Sequence, residues 1–289
     1  MLGYGIIAAL LSLFFFSIGD TLSKHVSEKL GNKASATIIV GAGIIPLGLS
    51  IFLIQPNVLD LNVLLLSTLA GAFTAIGFLL VFKSLETQQV TNTLALVNLQ
   101  YAVIILFGIL ALSESVSASQ YLGLILIFLG ALLVTLTRGF RLNLMLVPAI
   151  LGMIFWGLDI IVVVYGLTIY HNSTTILFFF ARATGAAFLL AYLLYSLRGA
   201  GTSGVAQRPK VSTRYFFIGL AAGIADGIAI LLITFVTLYN TVALGGAILA
   251  LEPILITIYG YLFYKDRLLP LQLVGVAIAV VGGILLNLA

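Results

Sequence analysis

The fold class that this sequence predicts is an all-α membrane protein, with ten transmembrane helices arranged as two inverted five-helix repeats around a central cavity. Three observations predict it. Of 289 residues, 62% are hydrophobic and 8% charged, against roughly 25% charged in soluble domains. The mean hydropathy of +1.26 belongs to the whole chain, and the apolar stretches are each close to the roughly 20 residues that cross a bilayer core. The chain also matches itself at a fixed offset, which is the mark of an internal repeat.

In chain order the expected segments are about 3–23, 34–54, 61–82, 91–112, 118–137, 144–168, 174–197, 215–238, 242–264 and 268–288, separated by charge, Pro, Asn and Gly. The first has no basic residues before it and no small-residue cleavage site after it, so it is expected to stay as a helix and not to be removed as a signal. Most connections are short and force neighbouring helices to be antiparallel. The exception, 198–214, carries Gly, Ser, Thr, Gln and four basic residues and reads as a flexible solvated loop.

Twelve of the thirteen Lys and Arg residues fall in loops after odd-numbered segments: Lys24, Lys29, Lys33, Lys83, Arg138, Arg141, Arg198, Arg208, Lys210, Arg214, Lys265 and Arg267. The positive-inside rule then places both termini outside the cytoplasm of a multi-pass cell-membrane protein. The net charge of +4 is explained by this sidedness and gives no reason to expect nucleic acid as a partner.

Sliding the chain by 152 positions pairs residues 66–137 with 218–289 without a gap, with 16 identities in 72 positions. Gly71/Gly223, Gly108/Gly260, Gln120/Gln272, Gly123/Gly275 and Gly130/Gly282 are among them, and Glu114 and Asp266 align as loop acids. The earlier helices match at an offset of 139, aligning Asp20 with Asp159 and Gly43 with Arg182. The chain therefore divides into repeats 1–138 and 139–289. Five is odd, so the second repeat enters the membrane in the opposite sense, a common transporter plan. Two full repeats make a monomer sufficient and leave a dimer open.

Within the expected helices the acids are Asp20, Asp159, Asp226 and Glu252, and Arg182 is the only base. Each costs at least about 2.5 kcal/mol at bilayer depth unless compensated. Counted from the outer helix ends, Asp159, Arg182, Asp226 and Glu252 all lie roughly 12–19 Å deep at 1.5 Å per residue, so four helices contribute to one layer. One cation cannot neutralise three carboxylates; the surplus points to a protonatable acid, Glu252 or Asp226, or to a bound cationic group. Opposite Asp226 and Glu252 the first repeat has Thr74 and Gln100, and it also supplies Asn98. The charge is thus expected in the second repeat only, lining a cavity suited to an amphipathic or zwitterionic solute. Trp156 lies three residues before Asp159, on nearly the same helix face, and offers a flat surface and one N–H donor. Both also have plain packing explanations, as does the small-residue stripe Gly219, Gly223 and Gly227. Pro46 and Pro253 are expected as mid-helix kinks.

The run Ala250, Leu251, Glu252, Pro253, Gly260, Tyr264, Asp266, Arg267, Gln272, Gly275 and Gly282 resembles the end of a repeat in the drug/metabolite transporter superfamily, EamA-like ten-helix type. Glu114, Gln120, Gly123 and Gly130 resemble its first-repeat copy, and Trp156 with Gly157 its tryptophan-glycine step. The first repeat departs from the pattern, with Phe16 and Ser17 at that step and Asn98, Leu99, Gln100 and Tyr101 in place of an acid followed by proline. The resemblance implies secondary transport, often export, through a central cavity, of amino acids, nucleosides, sugar nucleotides or toxic amphiphiles.

The leading expectation is a proton- or gradient-coupled secondary transporter of a small-molecule metabolite in the lipid bilayer, working by alternating access. The alternatives are a flippase for a lipid-linked solute and a non-transporting membrane scaffold. An enzyme is not expected. The absence of Cys, of H-E-x-x-H and of G-x-S-x-G removes thiol, zinc and Ser/His chemistry. No cofactor or metal is called for, and Gly199 to Gly204 lacks the Lys of a P-loop.

Overall fold

A computed structural model describes residues 2–54, 60–88, 90–113, 117–135, 147–169, 174–202, 212–239, 242–265 and 269–287. Glu114, Asp266, His171, Arg138, Arg141, Arg208, Lys210 and Arg267 lie outside the described residues. The elements are α1 (Leu2–Ile54), α2 (Leu61–Leu85), α3 (Val90–Val97), α4 (Gln100–Ala111), α5 (Ala118–Thr135), α6 (Val147–Ile169), α7 (Thr174–Thr202), α8 (Thr213–Tyr239), α9 (Val242–Leu249), α10 (Glu252–Tyr264) and α11 (Pro270–Asn287). Among the described residues there is no strand. Six helical stretches are long and apolar enough to cross a membrane, and Ala118–Gly130 and Pro270–Gly283 are shorter apolar helices.

At 53 residues, α1 would be about 80 Å long if straight, more than twice the hydrocarbon thickness. It is not straight. Gly31 has φ 77° and ψ 161°, a conformation closed to residues with a Cβ. The chain folds back there: Gly19 on one arm packs against Ala222 O and Asp226 N, while Gly43 on the other lies against Asp226 Oδ2 and Gly223 O. The expected boundary at residues 24–33 is thereby corrected, because helix continues through Lys24 and Lys29 almost to the turn. At the other end of the chain's longest expected loop, α7 runs to Thr202, so the first residues of 198–214 are helical.

Two expected continuous helices are each interrupted. Asn98 and Leu99 separate α3 from α4, and Ala250 and Leu251 separate α9 from α10. Both breaks are tight turns, closed by Tyr101 N–H donating to Asn98 O at 3.2 Å and by Ile254 N–H donating to Leu251 O at 3.0 Å. Pro253 therefore sits in the first turn of α10, where its missing N–H leaves no gap in the ladder, and not at a mid-helix kink. Pro46 does lie inside α1.

Packing is reciprocal between the parts of the chain related by 152. A Cβ at Gly130 of α5 would meet Gly275 O of α11 at 2.5 Å, and one at Gly282 of α11 would meet Gly123 O of α5 at 2.7 Å. Likewise Gly71 of α2 sits on Ala181 and Gly185 of α7, and Gly223 of α8 on Ile39 and Ala42 of α1. Gly185 approaches Gly71 O just as Gly43 approaches Gly223 O. These contacts make Gly43 the counterpart of Gly185, so the buried Val40, not Gly43, is opposite Arg182. The offset of 139 is three residues short in this helix.

Two apolar clusters are stacked along the bundle. One contains Leu13, Ala70, Tyr101, Val163, Ala181, Ile230 and Ala250; the other contains Val26, Phe78, Val97, Trp156, Leu189, Ala222 and Ile256. On the first arm of α1, on α2, α6, α7 and α8, and around the α3–α4 and α9–α10 breaks, the switch from one cluster to the other falls near a polar residue: Asp20, Thr74, Asp159, Arg182, Asp226, Gln100 or Glu252. A polar layer is thus held between two hydrophobic plugs.

Candidate functional site

A central cavity of about 50 Å³ occupies this layer, lined by Asp20, Thr74, Gln100, Tyr101, Trp156, Asp159, Arg182, Asp226 and Glu252 with Phe16 and Phe78. At roughly 10–15 Å³ per water on this measure, it holds a few waters and no metabolite.

Arg182 and Asp226 form its ion pair. The guanidinium Nη2 donates to Asp226 Oδ1 at 3.2 Å and stands 3.0 Å from Oδ2, with its Cζ 5.0 Å from the centre of the Phe78 ring. The aromatic face and the carboxylate together hold the cation on one side, while its Nη1 has no partner. Thr74 donates to Asp159 Oδ2 at 2.6 Å, and Tyr101 donates to Glu252 Oε2 at 3.0 Å. Trp156 stands edge-on to Phe78, 4.8 Å between centroids. Its Nε1, Gln100 Oε1 and Glu252 Oε1 are buried without partners. Polar groups this deeply buried are normally paired, and their convergence on one cavity gives the layer an open recognition capacity.

The halved helices explain why two of these groups point inward. Gln100 begins α4 and Glu252 begins α10, so each side chain projects from a helix N-terminus whose free amides favour negative charge.

One end of the bundle is closed by polar contacts. Lys24 Nζ donates to Leu85 O and Gln88 O, both at 2.6 Å, and pairs with Glu28 at 2.8 Å. Asn32 N–H donates to Glu86 Oε1, and Tyr264 O–H donates to Thr21 O at 2.5 Å while its ring stacks on His25. Lys24 is thus a buried clamp on the end of α2 and not the solvated loop residue its charge suggested. Toward the other end, Tyr101, Ile160 and Ile233 of the cavity also line a narrow apolar throat with Ile104, Val164 and Val236.

The model of the EamA-like transporter family matches the chain twice, over residues 3–136 and again over 143–288. This chain belongs to the EamA-like transporter family. It is a multi-pass membrane transporter of a small molecule, and not an enzyme. A similar protein from Methanocaldococcus jannaschii, described as uncharacterized, is 28% identical over 135 residues, which is 46% of this chain and 97% of that protein. A protein of known crystal structure superposes with a TM-score of 0.74 at 16% identity, covering 97% of this chain and 98% of the other; it is alike in fold.

In this EamA-like transporter the fold brings Trp156, Asp159, Arg182, Asp226, Glu252 and Gln100 to one cavity. Asn98 is not among its lining residues and faces a separate apolar cavity. Asp20 joins the central group, which corrects the expectation that the charge is confined to the second repeat. The extension of the first helix to the Gly31 turn carries Asp20 from a helix end to the middle of one. Tyr101, as the donor to Glu252, and Thr74, as the donor to Asp159, were not anticipated in those roles. Asp20 was within reach, since the offset of 139 already aligns it with Asp159; Tyr101 was not, because its counterpart is Pro253.

Proposed function

We propose that this EamA-like chain is a proton-coupled secondary transporter of a small zwitterionic or amphipathic metabolite, working by alternating access around the central polar layer. Ten crossings serve it: the two arms of α1, then α2, the α3–α4 pair, α5, α6, α7, α8, the α9–α10 pair and α11. They form repeats at 1–138 and 139–289, inserted in opposite senses, with both termini outside the cytoplasm. That the similar archaeal protein matches nearly end to end over 46% of this chain supports a repeat of that size. The seven described Lys and Arg residues other than Arg182 flank the plug near Gly31, which supports reading that end as the cytoplasmic one.

The observation that carries the reading is the set of unpartnered groups around one cavity. Arg182 Nη1 and Trp156 Nε1 are donors awaiting an anionic or carbonyl oxygen; Glu252 Oε1 and Gln100 Oε1 are acceptors awaiting a cationic N–H. A zwitterion satisfies both sets. Asp226 is tied to Arg182, so Glu252, which meets only the neutral Tyr101 hydroxyl, is the acid for which solute and proton compete. Protonation of Glu252 releases the solute, and the halves then rock about the layer, opening the Lys24 and Tyr264 contacts on one side as the throat closes on the other.

The test is accumulation in liposomes holding the purified protein, with a proton gradient imposed in either direction, a mixed-metabolite bath and mass-spectrometric readout. Gradient-dependent accumulation of one zwitterionic class is the expected result. Absence of any gradient-dependent solute over protein-free liposomes overturns it.

A further inference from the structure

The second cavity, of about 340 Å³, lies beside the break between α3 and α4 and is lined almost wholly by apolar side chains of α4 and α5, with Asn98 at one wall and Ala250 of the other break. Several lining residues, among them Leu106, Ile125 and Phe128, are exposed on the outer surface of the bundle, so the cavity opens sideways, toward the bilayer. Its volume is several times that of the central cavity, and its long apolar wall suits an extended hydrocarbon chain. Bilayer chains would fill such a space indifferently but for one feature. Asn98 is 4% exposed, lines the cavity, and has a buried amide Nδ2 without a partner, a donor whose burial is costly if nothing accepts from it.

The same turn serves both cavities. Asn98 and Leu99 face the apolar one, Gln100 and Tyr101 the central polar one; across from them Ala250 faces the first and Glu252 the second. In the second copy Leu251 lies against Gly283.

We propose that the cavity beside Asn98 holds the apolar tail of an amphiphile whose polar head occupies the central cavity, the Asn98 amide donating to a carbonyl oxygen where head and tail join. The proposal rests on the reading of the central cavity as the head-group site. A phospholipid does not fit, because its ester oxygens stay at the interface and only methylenes reach the depth of the polar layer. A single-tailed acyl amphiphile places its first carbonyl at that depth. The central cavity then selects the zwitterionic head, and the side cavity favours substrates carrying a single acyl chain, entering from the bilayer.

The experiment uses the full chain in lipid nanodiscs and decanoylcarnitine bearing a diazirine near the tail end, a probe with a zwitterionic head, an ester carbonyl and a single acyl tail. Photolabelling is expected on Leu106, Ile125 and Phe128 and should be competed by unlabelled probe. Asn98→Leu removes an unsatisfied donor, so it should fold at least as stably as the parent. It should weaken the acyl probe about three- to tenfold while leaving a decyl sulfobetaine, which has no carbonyl, unchanged. Ile125→Trp with Leu129→Phe fills the cavity and should abolish labelling while sparing transport of tail-less zwitterions. Labelling spread evenly over lipid-facing residues, equal labelling by a diazirine phospholipid, or an unchanged acyl affinity in Asn98→Leu overturns the proposal. Tail-specific labelling in a protein that moves no tail-less solute would instead count against the transport reading and leave the tail site standing.

Discussion

The two copies matched by the family model are built alike and equipped differently. Where they pack, they agree to the residue: Gly130 of α5 against α11 mirrors Gly282 of α11 against α5, and the breaks at Asn98–Leu99 and Ala250–Leu251 fall at the same point of each copy. Where they face the cavity, they share one acid, Asp20 and Asp159, and otherwise part. Thr74 stands opposite Asp226, Gln100 opposite Glu252, Tyr101 opposite Pro253 and Val40 opposite Arg182. Symmetric backbones with asymmetric side chains are what a rocking machine with one binding site requires: equal interfaces keep its two end states close in energy, and unequal chemistry gives the solute a single orientation.

The comparison can be attacked first where its asymmetry is greatest. Arg182→Met leaves Asp226 buried without its counter-charge and is expected to cost about 3–5 kcal/mol, seen as a large loss of folded yield and thermal midpoint in detergent. The double substitution Arg182→Met with Asp226→Leu should recover most of it, as a pair removed together leaves no unpaired charge. Failure of the double variant to recover would mean that the pair is not the element being lost.

Next is the cross-copy bond from Thr74. Thr74→Val keeps the shape and deletes a donor to a carboxylate, for about 1.5–3 kcal/mol, and should lower solute affinity by freeing Asp159. A denaturation curve and a transport KM unchanged from the parent would remove Asp159 from the site.

The symmetry itself is tested by Gly130→Val and Gly282→Val. Each pushes a side chain into the opposite backbone, for about 1–3 kcal/mol, and the two costs should agree to within about 1 kcal/mol. A large effect at one and none at the other would show that the packing is not reciprocal. The smallest effect is expected from Tyr264→Phe, which loses one hydrogen bond to Thr21 O, about 0.5–1.5 kcal/mol; opening of that end should show as faster labelling of a cysteine introduced at Ser23.

Architecture was legible because its signals are dense. Apolar runs, basic loops and a gapless self-match over 72 positions each report the same plan, and the sequence marks the polar layer directly because ionisable residues are rare in lipid. Helix ends were less so: Gly31 does break the chain, but Lys24 and Lys29 disguised a helix as a loop, and with it hid the depth of Asp20. The halved helices were illegible, since two residues of turn inside an apolar run leave its hydropathy unchanged; Pro253 was the available sign, and it was taken for a kink. Asn98 showed its polarity in sequence, but which cavity it faces depends on a rotation of about 100° per residue across a break that the sequence did not announce.

The most direct test of the proposed mechanism is proton-gradient-driven accumulation by wild type and by Glu252→Gln, which gives the second copy the Gln of the first, with solute exchange at equal pH measured on the same liposomes. The account predicts that Glu252→Gln, which mimics the protonated acid that has released its solute, folds like the parent, exchanges solute only at a strongly raised KM and no longer accumulates it against a gradient. Gradient-driven accumulation by Glu252→Gln at the wild-type level would contradict it.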